Sequence, residues 1–185
     1  MPIGTLRNVD DTADDAPGDG ESPGRSRVAL IYLTAAGIVL ADQAAKLAAV
    51  KWLRPAESMP LTSWIKLTWA TNTGGAFGVF DSRTGVLSAV AGAIVLVLIL
   101  LAPKLGGGRL LAVSLALVMG GALGNLIDRV RVGYVIDYID LNFWPLVHWP
   151  VFNIADIAIT VGAGLLIIAT LLGHPYPVSS REDSD

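Results

Sequence analysis

The chain contains no cysteine and only two histidines, His148 and His174. Without cysteine there is no disulfide, no thiolate nucleophile and no cysteine-ligated metal. Nor is the chain itself a substrate for cysteine lipidation. Two histidines exclude a histidine-rich metal site, and a Ser-His-Asp triad would have to use one of them. Charge is scarce too: only 16% of the 185 residues are Asp, Glu, Lys or Arg, fewer than a soluble domain of this size carries. Many of the acids sit in residues 1–27 and in Arg181–Asp185, so the net charge of −3 belongs mostly to the ends. That distribution argues against a nucleic-acid surface.

What the chain has in quantity is apolar sequence: 53% of residues are hydrophobic and the mean hydropathy is +0.59. Residues 1–27 are acidic and rich in Gly, Pro and Ser, with little to bury, and read as a disordered tail. Four apolar stretches follow: Val28–Val50, Thr84–Ala102, Leu110–Ile127 and about Phe152–Leu172. Each approaches or exceeds the roughly 20 residues that cross a bilayer core. The expected fold is therefore mainly α, with four transmembrane helices in a domain over 28–173 and a short tail at 174–185. A cleaved secretory signal ending near Ala41 is the rival reading of the first stretch, but an acidic tail is a poor n-region.

Two segments fit neither span nor tail. Lys51–Arg83 carries Trp52, Trp64 and Trp69, and around Trp64–Trp69 apolar and polar residues alternate, which predicts a short strand. Arg129–Val151 holds the β-branched and aromatic run Tyr134–Leu141, followed by Phe143, Trp144 and Trp149. Both read as interfacial, with some β structure. Charge alone does not orient the chain. A bare count favours the side of Lys51, Arg54, Lys66, Arg83, Arg129 and Arg131 as cytoplasmic, whereas the short Lys104–Arg109 turn pulls the other way.

Four alternating spans bring the unusual polar residues to one membrane face. Asp42 and Lys46 end the first span; Asn72 precedes the second; Asn125, Asp128 and Arg129 end the third; Asn153 and Asp156 begin the fourth; Asp137 lies in the loop between. Charge at hydrocarbon depth survives when it is paired or functional. Asp42 and Lys46 are one helical turn apart and predict a pair, as do Asn125 and Arg129. Any one pair reads as helix glue; the convergence of the whole set predicts a functional site.

The set contains acids, amides, one lysine and one arginine, which suits hydrolysis by two carboxylates sharing a proton. One takes a proton from water and the other donates to the carbonyl oxygen or the leaving amine. Asp42 reads as the partner of Lys46, and Asp128 as a structural acceptor. Asp156 stands out because it has no evident local partner. In an extended Tyr134–Leu141, Asp137 and Asp140 point to opposite sides, and periodicity does not choose between them. Asn72-Thr73-Gly74-Gly75-Ala76-Phe77-Gly78 supplies close backbone approach or simply a loop entering a helix. Gly120 and Gly124 predict close helix packing.

Five motifs in order resemble those of lipoprotein signal peptidase, or signal peptidase II: Asp42-Gln43-x-x-Lys46, Asn72-x-Gly74-x-Ala76-Phe77-Gly78, Gly120-Gly121-Ala122-x-Gly124-Asn125-x-x-Asp128-Arg129, Val135-x-Asp137-Tyr138 and Phe152-Asn153-x-Ala155-Asp156. Gly75 and Tyr138 depart from the family's more usual alanine and phenylalanine. The resemblance implies a four-span peptidase of the bacterial inner membrane, with cytoplasmic termini and a small β-rich segment near an extracytoplasmic site; a monomer is expected. It implies cleavage of diacylglyceryl-modified prolipoproteins just before the lipidated cysteine, without metal or other cofactor and with membrane lipid as a partner. It maps the catalytic pair onto Asp137 and Asp156. Asp42, Lys46, Asn72, Gly74, Asn125, Asp128, Arg129, Asn153 and Ala155 fall on supporting or substrate-binding positions. A channel or proton-coupled transporter using Asp42, Asp128 and Asp156 is the principal rival, although spans two and three are apolar in their other halves. A structural scaffold and a serine peptidase built on Ser88 or Ser114 are further alternatives.

Overall fold

A computed structural model describes residues 23–54, 56, 58–74, 84–102, 104 and 108–172. The expected tails before residue 23 and after 172 lie outside the described residues, as does the whole of the Gly75–Arg83 stretch. Among the described residues, four α-helices and three strands follow in order, with a 3-10 turn at Leu146–His148 before the last helix: α1 (Pro23–Trp52), β1 (Ser58–Pro60), β2 (Ile65–Asn72), α2 (Thr84–Leu101), α3 (Arg109–Val132), β3 (Val135–Leu141) and α4 (Ile154–Leu171). Residues 23–27, expected in the tail, are the first turn of α1.

Three of these helices, α1, α3 and α4, are long and apolar enough to cross a membrane; the apolar segment Gly85–Leu101 in α2 is shorter. Helix α3 is central, packed against each of the other three. Small residues let backbones meet, as membrane helices require when lipid offers no hydrophobic drive. A Cβ on Gly120 would lie 2.9 Å from the Ala35 carbonyl of α1. One on Gly121 would meet the Ala155 carbonyl of α4. One on Gly162 would lie 2.9 Å from the Ser114 carbonyl of α3. Ile31, Ala35, Ala112, Ala116 and Met119 form the core between α1 and α3.

The α3 helix runs five residues beyond the expected end at Ile127. Asp128, Arg129 and Arg131 resemble the polar close of a span, but Asp128 is fully buried and paired, so the helix continues through it. It stops at Gly133, whose φ of 83° is the left-handed conformation that glycine adopts without strain. The Gly133 N–H donates to the Arg129 carbonyl.

The expected strands form one antiparallel sheet in the order β1-β2-β3. β2 begins at Ile65 and runs to Asn72, three residues past Trp69. Its pairing with β3 sets Lys66 opposite Asp140 and Ala70 opposite Asp137, with an irregularity between Leu67 and Ala70. Ile136 and Tyr138 pack with Ala49 and Leu53, seating the sheet on the end of α1. Phe152 then pairs with Ile139 as an isolated bridge, its N–H donating to the Ile139 carbonyl at 3.0 Å. This bridge delivers the chain to the start of α4 directly beside β3.

Candidate active site

The buried polar cluster begins on α1. Asp42 and Lys46 are one turn apart, both fully buried, with Lys46 Nζ 2.9 Å from Asp42 Oδ2. The pair is not exclusive: Lys46 Nζ also lies 2.9 Å from Asp128 Oδ2 on α3 and donates to Asn125 Oδ1 at 2.9 Å. An ammonium has three hydrogens to give, and here each has an acceptor. Burying these charges is tolerable because they are paired and hydrogen-bonded. Asp42 Oδ1 also accepts from the Ala155 N–H at the start of α4, and Asp128 Oδ2 accepts from the Ile136 N–H of β3. One small network thereby ties α1, α3, α4 and the sheet together.

Gly124 makes room for it. A Cβ there would sit 2.7 Å from Asp42 Oδ2, so this glycine accommodates a carboxylate as well as a helix face. Gln43, which the sequence pattern contains but does not single out, lies 3.2 Å from acceptors on Asp42, Gly124 and Asp128.

Above this base sit Asp137 and Asp156. Asp137 Oδ1 accepts from Asn153 Nδ2 at 2.6 Å and its Oδ2 from Asn72 Nδ2 at 3.2 Å. Asn72 is oriented in turn, because its Oδ1 accepts from the Gly74 N–H. Asp156 Oδ1 accepts from Asn125 Nδ2 at 2.8 Å. Contrary to expectation, Asp156 also has a local partner: Asn153 and Asp156 form a reciprocal capping box at the start of α4. The Asn153-x-x-Asp156 spacing carries that signal in the sequence. Burial, and next the negative charge of Asp156, push the Asp137 carboxyl up to about 7, against the donors Asn72 and Asn153.

Asn125 and Arg129 do not pair as their spacing suggests. Arg129 Nη2 donates to the Gly74 carbonyl at 3.3 Å, and Asn125 serves Lys46, Asn153 and Asp156. Asp140 is directed elsewhere, accepting from Thr68 Oγ1 at 2.9 Å and facing Lys66 at 3.2 Å. All eleven candidate positions, from Asp42 to Asp156, thus lie in one connected cluster or directly against it. Gly75–Gly78 of the second motif lie outside the described residues. Among the described residues, no group of three or more carboxylates or imidazoles is arranged to hold a metal ion.

A cavity of about 480 Å³ opens beside the cluster. Asn72, Asn125, Arg129 and Asp156 line its polar end, and Val151, Phe152 and Val161 are among its apolar walls. Trp149, marked in the sequence only as an interfacial aromatic, and Thr160, not marked at all, also line it. The arrangement offers two amide-held carboxylates, Asp156 on the wall of a largely apolar cleft and Asp137 next to it on Asn72 and Asn153, a setting suited to acid–base hydrolysis of a substrate with an apolar part.

Comparison with known proteins agrees with the family resemblance. The sequence model of the family described as Signal peptidase (SPase) II matches residues 34–172. The chain is 36% identical over 140 residues to the lipoprotein signal peptidase of Halothermothrix orenii, covering 75% of this chain and 93% of that one. It is 43% identical over 136 residues to that of Burkholderia cenocepacia strain HI2424, covering 70% and 80%. A bacterial membrane enzyme solved by the in meso method at 2.3 Å resolution superposes with a TM-score of 0.72 and 29% identity, covering 84% of this chain and 93% of that one. With the family pattern running from within α1 through the sheet to the end of α4, this chain belongs to the signal peptidase II family.

Proposed function

We propose that the chain is a membrane aspartic endopeptidase that removes the signal peptide from diacylglyceryl-modified prolipoproteins, cutting just before the lipidated cysteine. Asp137 and Asp156 are its catalytic pair. The observation that carries this reading is the meeting of two carboxylates on one residue, Asn153: Asp137 of β3 accepts from its side-chain Nδ2, and Asp156 in the first turn of α4 accepts from its backbone N–H. Family membership supports the reaction class. Two neighbouring carboxyls do not readily ionise together, so one proton serves both. The ionised member takes a proton from water, and the oxygen attacks the scissile carbonyl. The protonated member donates to the carbonyl oxygen, and the proton gained from water then goes to the leaving amine. Arg129 and Asn72, at the polar end of the cavity, are placed to hold peptide carbonyls, and Val151, Phe152 and Val161 to receive apolar substrate.

In this reading α2 completes a four-pass chain of the bacterial inner membrane, with both termini cytoplasmic and the sheet outside. The exposed Trp52, Leu61 and Trp64 suit the headgroup layer. The test is cleavage of a diacylglyceryl-modified prolipoprotein by the purified protein in detergent, read by mass shift. The wild type is expected to cut before the lipidated cysteine, and folded Asp137→Asn and Asp156→Asn variants to lose about a thousandfold or more. A wild type inactive on lipidated substrates, or either variant cutting normally, overturns the reading.

A further inference from the structure

The three acceptors around Lys46 are not alike. Two are carboxylates, and their charge accounts for a buried ammonium without further help. The third is the side-chain amide of Asn125, and an amide has two ends with opposite character. Lysine has only donors, so the end of Asn125 that meets Lys46 is its oxygen. The NH₂ end is then left to face Asp156, and Asn125 Nδ2 lies 2.8 Å from Asp156 Oδ1. The same Asn125 oxygen accepts from Asn153 Nδ2 at 3.1 Å, and that Nδ2 is also 2.6 Å from Asp137 Oδ1. The Asn153 oxygen accepts from the Asp156 N–H. Donor direction therefore runs from the ammonium through Asn125 to Asp156, and the same Asn125 oxygen joins the Asp156 N–H and the Ile136 carbonyl in fixing the Asn153 amide whose Nδ2 meets Asp137.

We propose that Lys46 is a positioning residue for the hydrolytic pair: by holding the oxygen of Asn125 it aims a hydrogen-bond donor at Asp156 and, through Asn153, at Asp137. The proposal rests on the reading of Asp137 and Asp156 as the catalytic pair. Without Lys46, only Asn153 Nδ2 at 3.1 Å still holds that oxygen, and the amide can turn it toward a carboxyl that carries the shared proton instead of donating to Asp156. The charged groups around the amide are Lys46 and Asp42 from α1, Asp128 and Arg129 from α3, Asp137 from β3 and Asp156 from α4. Arg131 stands further off, 3.9 Å from Asp128.

The experiment is a double-mutant cycle with Lys46→Met and Asn125→Leu, measuring kcat, KM and pH profile on a lipidated prolipoprotein, with thermal unfolding alongside. If Lys46 acts through Asn125, each single change lowers kcat about tenfold or more, the double variant is no worse than either, and all three share one displaced pH profile. Effects that multiply, with the pH profile unmoved, mean that Lys46 only braces the helices and overturn the proposal. Should Lys46→Met fail to fold, Asn125→Asp decides, because it retains an oxygen for Lys46. Held there, its second oxygen faces Asp156 and donates only once it carries a proton, so the activity optimum moves to lower pH by about one unit or more. An optimum that stays in place overturns the proposal. Wild-type cleavage with inactive Asp137→Asn and Asp156→Asn variants keeps the peptidase reading intact whichever way the Lys46 result falls.

Discussion

Asp137 is costly where it stands, and its cost depends on pH. Its carboxyl is raised to about 7 by burial and by Asp156, whereas an unfolded chain titrates it near 4. Between those values the folded protein holds the proton and the unfolded chain does not, so stability falls as pH rises through that window and then levels off. Asp137→Asn removes the titrating group while keeping its shape. We expect this variant to lose the downward slope between about pH 4 and pH 7 and to unfold at higher temperature than wild type at pH 8, while cleaving nothing. Thermal unfolding in detergent across a pH series checks this; a variant less stable than wild type at pH 8 contradicts it. Glycines give a second contrast at this scale. Gly124→Ala drives a methyl against Asp42, which Lys46 and the Ala155 N–H hold in place, and is expected to cost about 1–3 kcal/mol. Gly37→Ala meets nothing within 4 Å and is expected to be neutral or to stabilise by up to about 1 kcal/mol. Paired unfolding midpoints separate the two.

The start of α4 joins folding to chemistry, since Asn153 both caps the helix and touches Asp137. These roles separate by substitution. Asn153→Ser retains a cap oxygen and loses the Nδ2 donor, so it is expected to melt within about 1 kcal/mol of wild type yet lose most of its cleavage activity. Asn153→Ala is expected to lose the activity and a further ~1 kcal/mol of stability. Unfolding and kcat measured on the same preparations decide it; Asn153→Ser with normal kcat removes Asn153 from the site. Elements of this kind are partly legible in the sequence. Apolar length announces the helices, and alternation announces β2, because both are local. The end of α3 is not legible in this way, because Asp128 is buried by a lysine 82 positions away in the chain, and no local pattern encodes that pairing. The register of β2 on β3 and the Ile139–Phe152 bridge are likewise long-range. The candidate site is legible as a set, by convergence and by family motif. The sharing of Lys46 and the service of Asn125 to Asp156 rather than Arg129 emerge only from the fold.

At the scale of the whole molecule, the buried network requires α1, α3, α4 and the sheet to meet at one end, and α2 is the element it does not touch. Tyr32 Oη donates to the Ile99 carbonyl, and α2 otherwise leans on α3, leaving Val86, Val90 and Ile94 exposed as lipid would favour. Whether α2 crosses the bilayer sets the side on which the sheet and both carboxylates lie relative to the α2–α3 turn. The absence of cysteine makes this directly measurable, since any introduced thiol is unique. Met59→Cys places an exposed thiol on β1, and Lys104→Cys places one between α2 and α3. In intact cells a membrane-impermeant maleimide is expected to label Met59→Cys and to spare Lys104→Cys until the membrane is permeabilised. Equal labelling of both from outside would mean that α2 does not cross. The sheet and the turn would then share a face, and a four-pass chain with its catalytic end outside the cytoplasm would be untenable. Opposite labelling, with the sheet outside, would put the two carboxylates where a lipid-anchored substrate emerges from the bilayer, and the 480 Å³ cavity beside Asp156 at the depth of its acyl chains.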